Sequence, residues 1–332
     1  MPTRGRSRRA FAWQHYLIHQ SVPTMGFTIV QPSAQDLFEH CPLKMRIKAD
    51  LTLLLVALVW GSAFAAQRII GQMGNVFLFN GLRFLLGALL LWPFLRGKPA
   101  LPRTGWKWVF AAGTVLFIAS ALQQAGLVYT TAGNAGFITS LYVVLVPIVL
   151  FLGWKERPFW TQLIAVFLAI GGGYLLSTGG EFHIQPGDLL ELIGALFWAL
   201  HVVLLGKFAS RYDALLFSAG QFLVSGLFNL GVGAFIETIP FAQIWPFIGA
   251  VVYTAVFSVG VGYTLQVWAQ RHTPPTDAAI LLSLEAVFAV LFGWLLLGEI
   301  LSTIQALGCG LIFVAVLLAQ IQFGGKAEAN QL

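Results

Sequence analysis

The apolar residues of this chain come in blocks of about twenty, and this arrangement constrains the fold more than any other feature. A helix of about 20 residues crosses the roughly 30 Å hydrocarbon core of a bilayer. Of the 332 residues, 58% are hydrophobic and only 10% are charged, too few charges to cover a soluble protein of this size. Cys41 and Cys309 are too few and too far apart for a disulfide framework or a cysteine metal site. The sequence therefore predicts an all-α integral membrane protein.

Ten apolar segments are each long enough to cross the membrane, so we expect ten transmembrane helices. A helix satisfies its own backbone hydrogen bonds, which the membrane interior requires. Asp50 and Asp188 are candidate N-caps, and Pro158 and Pro274 lie close to expected helix starts. The expected spans are 50–70, 76–95, 106–128, 134–153, 159–177, 188–207, 214–236, 246–268, 274–297 and 301–322.

Basic residues are concentrated in alternate loops. One set of loops holds Lys98, Arg103, Lys155 and Arg157, whereas the other set holds Arg68 together with the acidic residues Glu181, Asp188, Glu237 and Glu299. Because Lys and Arg in short loops face the cytoplasm, we expect a multi-pass protein of the cell (inner) membrane with both termini cytoplasmic. The net charge of +6 is explained by these basic loops. The expected partner is therefore the lipid bilayer, and no binding to nucleic acid is expected.

The N-terminal residues 1–44 differ in composition from the rest of the chain. They contain Arg4, Arg6, Arg8 and Arg9, and no acidic residue precedes Asp36. An Arg-rich, acid-poor arm is typical of an organelle transit sequence, and the alternative is a start codon assigned too early, with Met45 opening the protein. In both cases residues 1–44 are expected to be a disordered extension. Residues 324–332 are expected to form a cytoplasmic tail.

The two halves of the chain repeat each other. DLTLLLVALVW at 50–60 aligns with DLLELIGALFW at 188–198, an offset of 138 residues. An offset of 143 then pairs Gln123 with Gln266, Thr130 with Thr273, Ser140–Leu141 with Ser283–Leu284, Glu156 with Glu299 and Gln162 with Gln305. The first repeat is expected at 45–180 and the second at 181–323. Five spans per repeat make the second half enter from the opposite face, which predicts two inverted five-helix repeats.

Several segments carry a resemblance to a known family. They are WGSAF at 60–64, NGLRFLLGALLL at 80–91, TTAGNAGFITSLYVVLVPI at 130–148 and SLEAVFAVLFGWLLLGE at 283–299, followed by Gln305, Gly308 and LIFVAV. In this order and spacing, over about 48–322, the chain resembles the EamA family of the drug/metabolite transporter superfamily.

The resemblance implies a ten-helix carrier of small metabolites, often an exporter. It implies that helices 1, 3, 4, 6, 8 and 9 line a central cavity and that helices 5 and 10 lie outside it. The chain departs from the family at Ala286, where a proline often follows the glutamate of helix 9. We therefore expect helix 9 to kink less than in relatives.

Two ionisable residues lie deep within expected spans. Glu285 lies about 16 Å from the inner end of its helix, and Arg83 about 10–12 Å from the outer end of its helix. Charged groups inside a membrane are costly and indicate function by default, so each is a candidate for binding a charged substrate group or carrying a proton. The alternative is a structural Arg83–Glu285 pair, or an Arg83 side chain that extends to the outer surface.

Polar side chains on the expected cavity-lining helices are further candidates. Gln123 and Gln266 occupy matching repeat positions and can hydrogen-bond a polar substrate, as can Asn134 and Ser140 on helix 4. His201 can titrate near neutral pH. The alternative for all of them is an interhelical hydrogen bond, typically worth about 1 kcal/mol or less. No second His or carboxylate lies three or four residues after His201, so no metal site is expected.

Aromatic residues form a third set of candidates: Trp60, Tyr142, Trp198, Tyr263 and Trp268. Aromatic rings can stack on a flat apolar substrate or bind a cation. The alternative is packing against lipid or at the membrane interface.

These features together predict a secondary transporter of small metabolites, an amino-acid or related metabolite exporter that works by alternating access. It is coupled to protons through Glu285 or uncoupled, and acts as a monomer or a homodimer. The alternatives are an importer or lipid-precursor flippase of the same fold and, more distantly, an integral-membrane enzyme. An enzyme would need paired catalytic carboxylates, or a Ser with a nearby His, and the sequence shows no such motif. No catalytic residue and no cofactor is expected.

Overall fold

The computed structural model describes residues 42–178, 186–239, 242, 244–298 and 302–320. The predictions for most of the N-terminal extension, for the tail, for Glu181 and for Glu299 concern residues outside these ranges. The extension was predicted to reach residue 44, but the first helix already begins at Leu43. Leu43 and Lys44 are therefore helical, and the prediction that they belong to a disordered extension is wrong.

Thirteen helices are found in the described part of the chain. They are α1 Leu43–Gly71, α2 Phe77–Leu91, α3 Arg103–Gly126, α4 Ala132–Ser140, α5 Tyr142–Trp154, α6 Trp160–Thr178, α7 Pro186–Lys207, α8 Ala214–Ile236, α9 Ile244–Tyr253, α10 Thr264–Ala269, α11 Pro275–Leu282, α12 Glu285–Leu297 and α13 Thr303–Gln320. A π-helical segment, Thr254–Tyr263, joins α9 to α10. Short 3₁₀ turns follow α2 at Trp92–Leu95 and α7 at Ala209–Arg211.

Eight helical segments in these ranges are long and apolar enough to cross a membrane. They coincide with eight of the ten expected spans, with α4–α5, α9–α10 and α11–α12 each counted as one segment. The fifth and tenth expected spans correspond to α6 and α13, whose apolar parts, Trp160–Leu175 and Thr303–Leu318, are shorter. The structure therefore confirms an all-helical chain with multiple membrane spans, and the total of ten stays a prediction.

The two predicted aspartate N-caps are wrong. Helix α1 begins seven residues before Asp50, and an Arg46–Asp50 contact of 3.2 Å, with i,i+4 spacing, stabilises this additional helix. Asp188 is the third residue of α7, and its Oδ1 accepts a hydrogen bond of 3.1 Å from Thr130. Pro274, by contrast, directly precedes α11 as predicted.

Two membrane helices are interrupted at positions that the 143-residue offset pairs. One interruption separates α4 from α5 at Leu141, and the other separates α11 from α12 at Ser283–Leu284. Ser140 Oγ donates to the Phe137 carbonyl and Ser283 Oγ to the Ile280 carbonyl, both at 2.7 Å. Such bonds compete with the helical backbone bonds. Helix 9 is therefore interrupted without a proline, and the expectation that it kinks less than in relatives stays a prediction.

Other contacts also occur in matching pairs. Thr273 Oγ1 donates to Asp50 at 2.8 Å, as Thr130 does to Asp188. Gln162 Oε1 accepts from the Phe159 amide and Gln305 Oε1 from the Ser302 amide, both at 2.9 Å. Helices from the two halves pack in pairs, α2 on α8, α3 on α7, and α6 on α13. These pairs fit the predicted duplication, and the inverted arrangement of the repeats stays a prediction.

Candidate functional site

A cavity of about 30 Å³ lies between the two halves of the bundle. It has room for one or two water molecules, and both polar and aromatic side chains face it. Both halves contribute, from α1 to α5 on one side and from α7, α10, α12 and the π-helical segment on the other. The lining residues are Trp60, Phe64, Gln67, Arg83, Gln123, Thr139, Tyr142, Trp198, Val202, Ser258, Tyr263, Gln266 and Glu285.

The helix interruptions place two of these residues. Tyr142 is the first residue of α5 and Glu285 the first residue of α12, and the 143-residue offset pairs them. Glu285 is 3% exposed, and its carboxyl group lies within electrostatic range of the Tyr142 hydroxyl. Glu285 Oε1 has no hydrogen-bond partner among the residues the structure describes. A negative charge is favourable at a helix N-terminus, so the interruption makes the carboxyl group less costly there.

Arg83 lies on α2 and is 1% exposed. Its Nη1 donates to Gln67 Oε1 at 3.0 Å, and the guanidinium lies 5.1 Å from the Phe79 ring and 5.0 Å from the Phe84 ring. Its Nε and Nη2 have no hydrogen-bond partner within the described ranges. Both structural alternatives are therefore wrong: Arg83 does not reach the surface, and its polar partner is Gln67 rather than Glu285. Two of its donor atoms stay available.

Three aromatic rings form one wall of the cavity. Tyr263 lies 4.7 Å from the Trp60 ring centroid, and it stacks on Trp198 at 6.1 Å with an interplanar angle of 13°. Tyr263 is the last residue of the π-helical segment. Trp60 Nε1 donates at 3.1 Å to the carbonyl of Ser258 in the same segment. π-Helical turns occur frequently at functional sites, and here the turn positions the ring wall.

The two matched glutamines also line the cavity. Gln123 Nε2 donates to Thr139 Oγ1 at 3.0 Å. Gln266 is 1% exposed, and its Oε1 has no hydrogen-bond partner in the part of the chain that the structure describes. Gln266 therefore has an acceptor available for a ligand.

Four candidates lie apart from the cavity lining, and one of them, Ser140, donates to the Phe137 carbonyl at 2.7 Å. His201 Nε2 contacts Gln221 Oε1 at 2.9 Å, and its ring lies behind the aromatic wall, 6.0 Å from both Trp198 and Tyr263. Asn134 lies in the first turn of α4, where its backbone N–H donates to Thr131 Oγ1. Trp268 lies 5.4 Å from Lys48 Nζ and 5.5 Å from the His272 ring, so it packs near a loop.

Three further residues were not predicted from the sequence: Gln67, Thr139 and Glu191. Gln67 holds Arg83, and Thr139 donates at 3.0 Å to Glu191 Oε2. Glu191 is fully buried, with 0% exposure. A signal was available, because Glu191 is an ionisable residue inside an expected span, within the quoted segment DLLELIGALFW. Its position in the second turn of the helix made it resemble an ordinary helix-end charge.

Comparison with known proteins gives consistent results. The model of the EamA-like transporter family matches residues 47–178 and 185–320. An uncharacterized transporter of Archaeoglobus fulgidus is 37% identical over 277 residues, 83% of this chain and 87% of the relative. The inner membrane transporter YedA of Escherichia coli is 26% identical over 282 residues, 81% of this chain and 89% of that protein. A crystal structure matches with a TM-score of 0.68 at 19% identity, covering 82% of this chain and 96% of that one, which shows a shared fold. The chain belongs to the EamA-like transporter family.

Proposed function

We propose that this protein is a secondary transporter that exports an amino acid or a related small metabolite across the inner membrane. The observation that carries the proposal is the chemistry of one cavity between the two halves. Arg83, Glu285 and a wall of aromatic rings all face that cavity. Arg83 has two available donors, and Glu285 has one available acceptor.

A small zwitterion fits this set of groups. Its carboxylate is complementary to the guanidinium of Arg83, and its ammonium group to the carboxyl group of Glu285. A flat or apolar side chain would pack on Trp60, Trp198 and Tyr263, whose rings also favour a positive charge over their faces. The amide acceptor of Gln266 adds a hydrogen bond for orientation.

Transport requires the cavity to open, because about 30 Å³ is too small for an amino acid. We propose that the two halves move as two inverted five-helix repeats and expose the cavity to each side in turn. Polar contacts join elements of the two halves at both ends of the bundle, at Thr273–Asp50 and Thr130–Asp188, and are suited to break alternately.

Glu285 is the group we propose for coupling to protons. A buried carboxylate without a basic partner is costly, and both a proton and a substrate ammonium group remove that cost. Proton and substrate would therefore compete for Glu285.

The two available donors of Arg83 also suit an anionic head group, so a lipid-precursor flippase is the second candidate. We also propose that transport is outward, that the N- and C-termini are cytoplasmic, and that the protein acts as a monomer or a homodimer.

Efflux from proteoliposomes tests the proposal. The vesicles are loaded with a panel of radiolabelled amino acids and small metabolites, with and without an imposed pH gradient. We expect release of a few compounds, faster with the gradient, and a loss of this acceleration in Glu285→Gln. The control is Glu156→Gln, which removes a carboxylate that pairs with Lys207 outside the cavity.

Two other outcomes would contradict parts of the proposal. A release rate that does not depend on the pH gradient and is unchanged in Glu285→Gln would contradict proton coupling through this residue. A folded protein that releases none of the panel would contradict amino-acid export, and a lipid-linked substrate would then be tested.

A further inference from the structure

A second buried carboxyl group lies outside the cavity, and the proposed cycle does not use it. Glu191 is the sixth residue of α7 and is 0% exposed. Its Oε1 lies against Gly126, where an added Cβ would come within 2.7 Å of that oxygen. Oε1 has no hydrogen-bond partner in the described ranges. An isolated charge in such a position is very costly unless a proton or a cation neutralises it.

Two hydrogen bonds connect Glu191 to the cavity. Thr139 Oγ1 donates to Glu191 Oε2 at 3.0 Å and accepts from Gln123 Nε2 at 3.0 Å. Thr139 and Gln123 both line the cavity. A threonine hydroxyl has one hydrogen, so donating to one neighbour obliges it to accept from the other. A proton on Glu191 Oε2 would therefore allow both bonds to reverse.

One acid lies close to Glu191, and Arg68, a basic residue at this end of the bundle, donates instead to the carbonyls of Leu127 and Val128. Asp188, one turn earlier on α7, is partly exposed and acts on Glu191 electrostatically. Helices α3, α4, α5 and α11 pack against α7. In the described ranges, the other charged residues on α7 and on these four helices lie toward the opposite end of the bundle: Arg103, Lys107, Lys207 and Asp277. Lys155, Glu156, Arg157 and Arg211 follow α5 and α7 at that same end, and Glu285, three residues after α11, lines the cavity. His201 lies on α7 about 15 Å farther along the helix axis.

We propose that Glu191 is a second proton-carrying group of the transporter, and that its protonation changes the hydrogen bonding offered to substrate by Gln123. The proposal rests on the proposed transport function and adds a residue outside the substrate cavity. The equivalent residue in the first repeat is Leu53, so only the second repeat has a carboxyl group at this position.

The proton changes the network in a defined way. When Glu191 is ionised, Thr139 donates to it and accepts from the Gln123 amide nitrogen, as observed, which leaves the Gln123 carbonyl for the cavity. When a proton adds to Oε2, the acid can donate to Thr139, and the Thr139 hydroxyl hydrogen is then free to turn to the Gln123 carbonyl. The Gln123 amide nitrogen then becomes available to the cavity. Asp188, at the start of α7, offers the proton a path from solvent.

Infrared spectroscopy of the reconstituted full chain tests the proposal without any substrate. A protonated carboxylic acid gives a C=O stretching band that a carboxylate lacks. In a pH titration we expect one such band to be lost in Glu191→Gln and kept in Glu285→Gln. Thr139→Val should shift the frequency of the band and the pH at which it disappears, because the hydroxyl partner is gone. Thr139→Ser, which keeps the hydroxyl, should restore both.

The opposite results would overturn the proposal. One is a spectrum in which Glu191→Gln removes no band at any pH while the protein remains folded by circular dichroism. The other is a Glu191 band that does not respond to Thr139→Val. A failure of the proposed transport function would be seen as absent efflux, and it would leave these spectra unchanged, so the two failures are distinguishable.

Discussion

At the scale of single residues, the position of Glu285 shows how a membrane protein tolerates a carboxyl group. The residue begins α12, so its carboxyl group lies at the positive dipole end of that helix. It faces a cavity that also contains Tyr142, Gln123 and Gln266. The helix N-terminus therefore lowers the free-energy cost of burying this carboxyl group. The cost that remains favours binding of a proton or of a positively charged substrate group.

Gly262 should be required for the aromatic wall. A Cβ at this position would lie 2.6 Å from Trp60 Nε1, so Gly262→Ala must push the indole away from the Ser258 carbonyl. Overpacking of this kind costs about 1–3 kcal/mol. We expect a lower thermal unfolding temperature in detergent and slower efflux of the transported compound.

The matched control is Gly249→Ala in α9. Nothing lies within 4 Å of an added Cβ there, so the change should stabilise by up to about 1 kcal/mol through helix propensity. Equal stability and equal efflux in the two variants would show that Trp60 is not held by this contact.

Residue identities allowed most of the cavity to be predicted, but not its pairings. Glu285 and Arg83 were found from their depth in apolar spans, and Trp60 and Trp198 from their repeat positions. Similar depth made Arg83 and Glu285 look like partners, whereas the structure pairs Arg83 with Gln67. The depth of a residue gives only its position along the membrane normal. The rotation of each helix about its own axis determines which neighbours its side chain faces. That rotation depends on packing across the whole bundle.

At the scale of elements, discontinuous helices create the site. The breaks before Tyr142 and Glu285 and the π-helical segment ending at Tyr263 all adjoin the cavity. Irregular backbone at membrane depth is tolerated where it lines a cavity inside the protein. The sequence predicted most helix ends to within a few residues, because loops carry prolines and charges, but α1 begins seven residues before its predicted start. The sequence did not predict the breaks, because Ser140 and Ser283 make the same bond to a carbonyl three residues earlier that Ser62 and Ser120 make in intact helices.

The start of α8 should show a pH-dependent cap. Asp213 Oδ1 accepts from the backbone amides of Leu215 and Leu216, and Oδ2 contacts Lys98 Nζ at 2.6 Å. Burial raises the pKa of Asp213, but the hydrogen bonds and the charge of Lys98 outweigh it, so the pKa lies below its ordinary value. The ionised cap therefore stabilises the protein at neutral pH, and this stabilisation is lost as the pH falls through the lowered pKa.

Two substitutions separate the cap from the charge. Asp213→Ala removes the cap and should cost about 1 kcal/mol. Asp213→Asn keeps a good cap, so the stability difference from wild type should be small and should shrink further in acid. Thermal unfolding in detergent over a pH series measures both. A difference between wild type and Asp213→Asn that grows in acid would contradict this account of Asp213.

At the scale of the whole molecule, the two ends of the bundle differ in chemistry. At one end Arg46 contacts both Asp50 and Asp277, at 3.2 Å and 2.5 Å, and Gln162 donates to Asp277 at 2.6 Å. At the other end the related Asp188 accepts from Thr130 at 3.1 Å. The repeats thus use the same aspartate–threonine contact, and the ion pairs reinforce it at the first end. We expect these contacts to be among those that break when the cavity opens.

The accessibility of a single cysteine in the cavity shows from which side of the membrane the cavity can be reached. Ser258 lines the cavity and is 3% exposed, so Ser258→Cys, with Cys41 and Cys309 replaced by serine, places one thiol there. A membrane-impermeant thiol reagent is applied to intact cells and to inside-out vesicles. The control, Ser225→Cys on α8, is 0% exposed and lies outside the cavity lining. The account predicts labelling of residue 258 from both sides and none of residue 225. Labelling of residue 258 from one side only would contradict an alternating cavity.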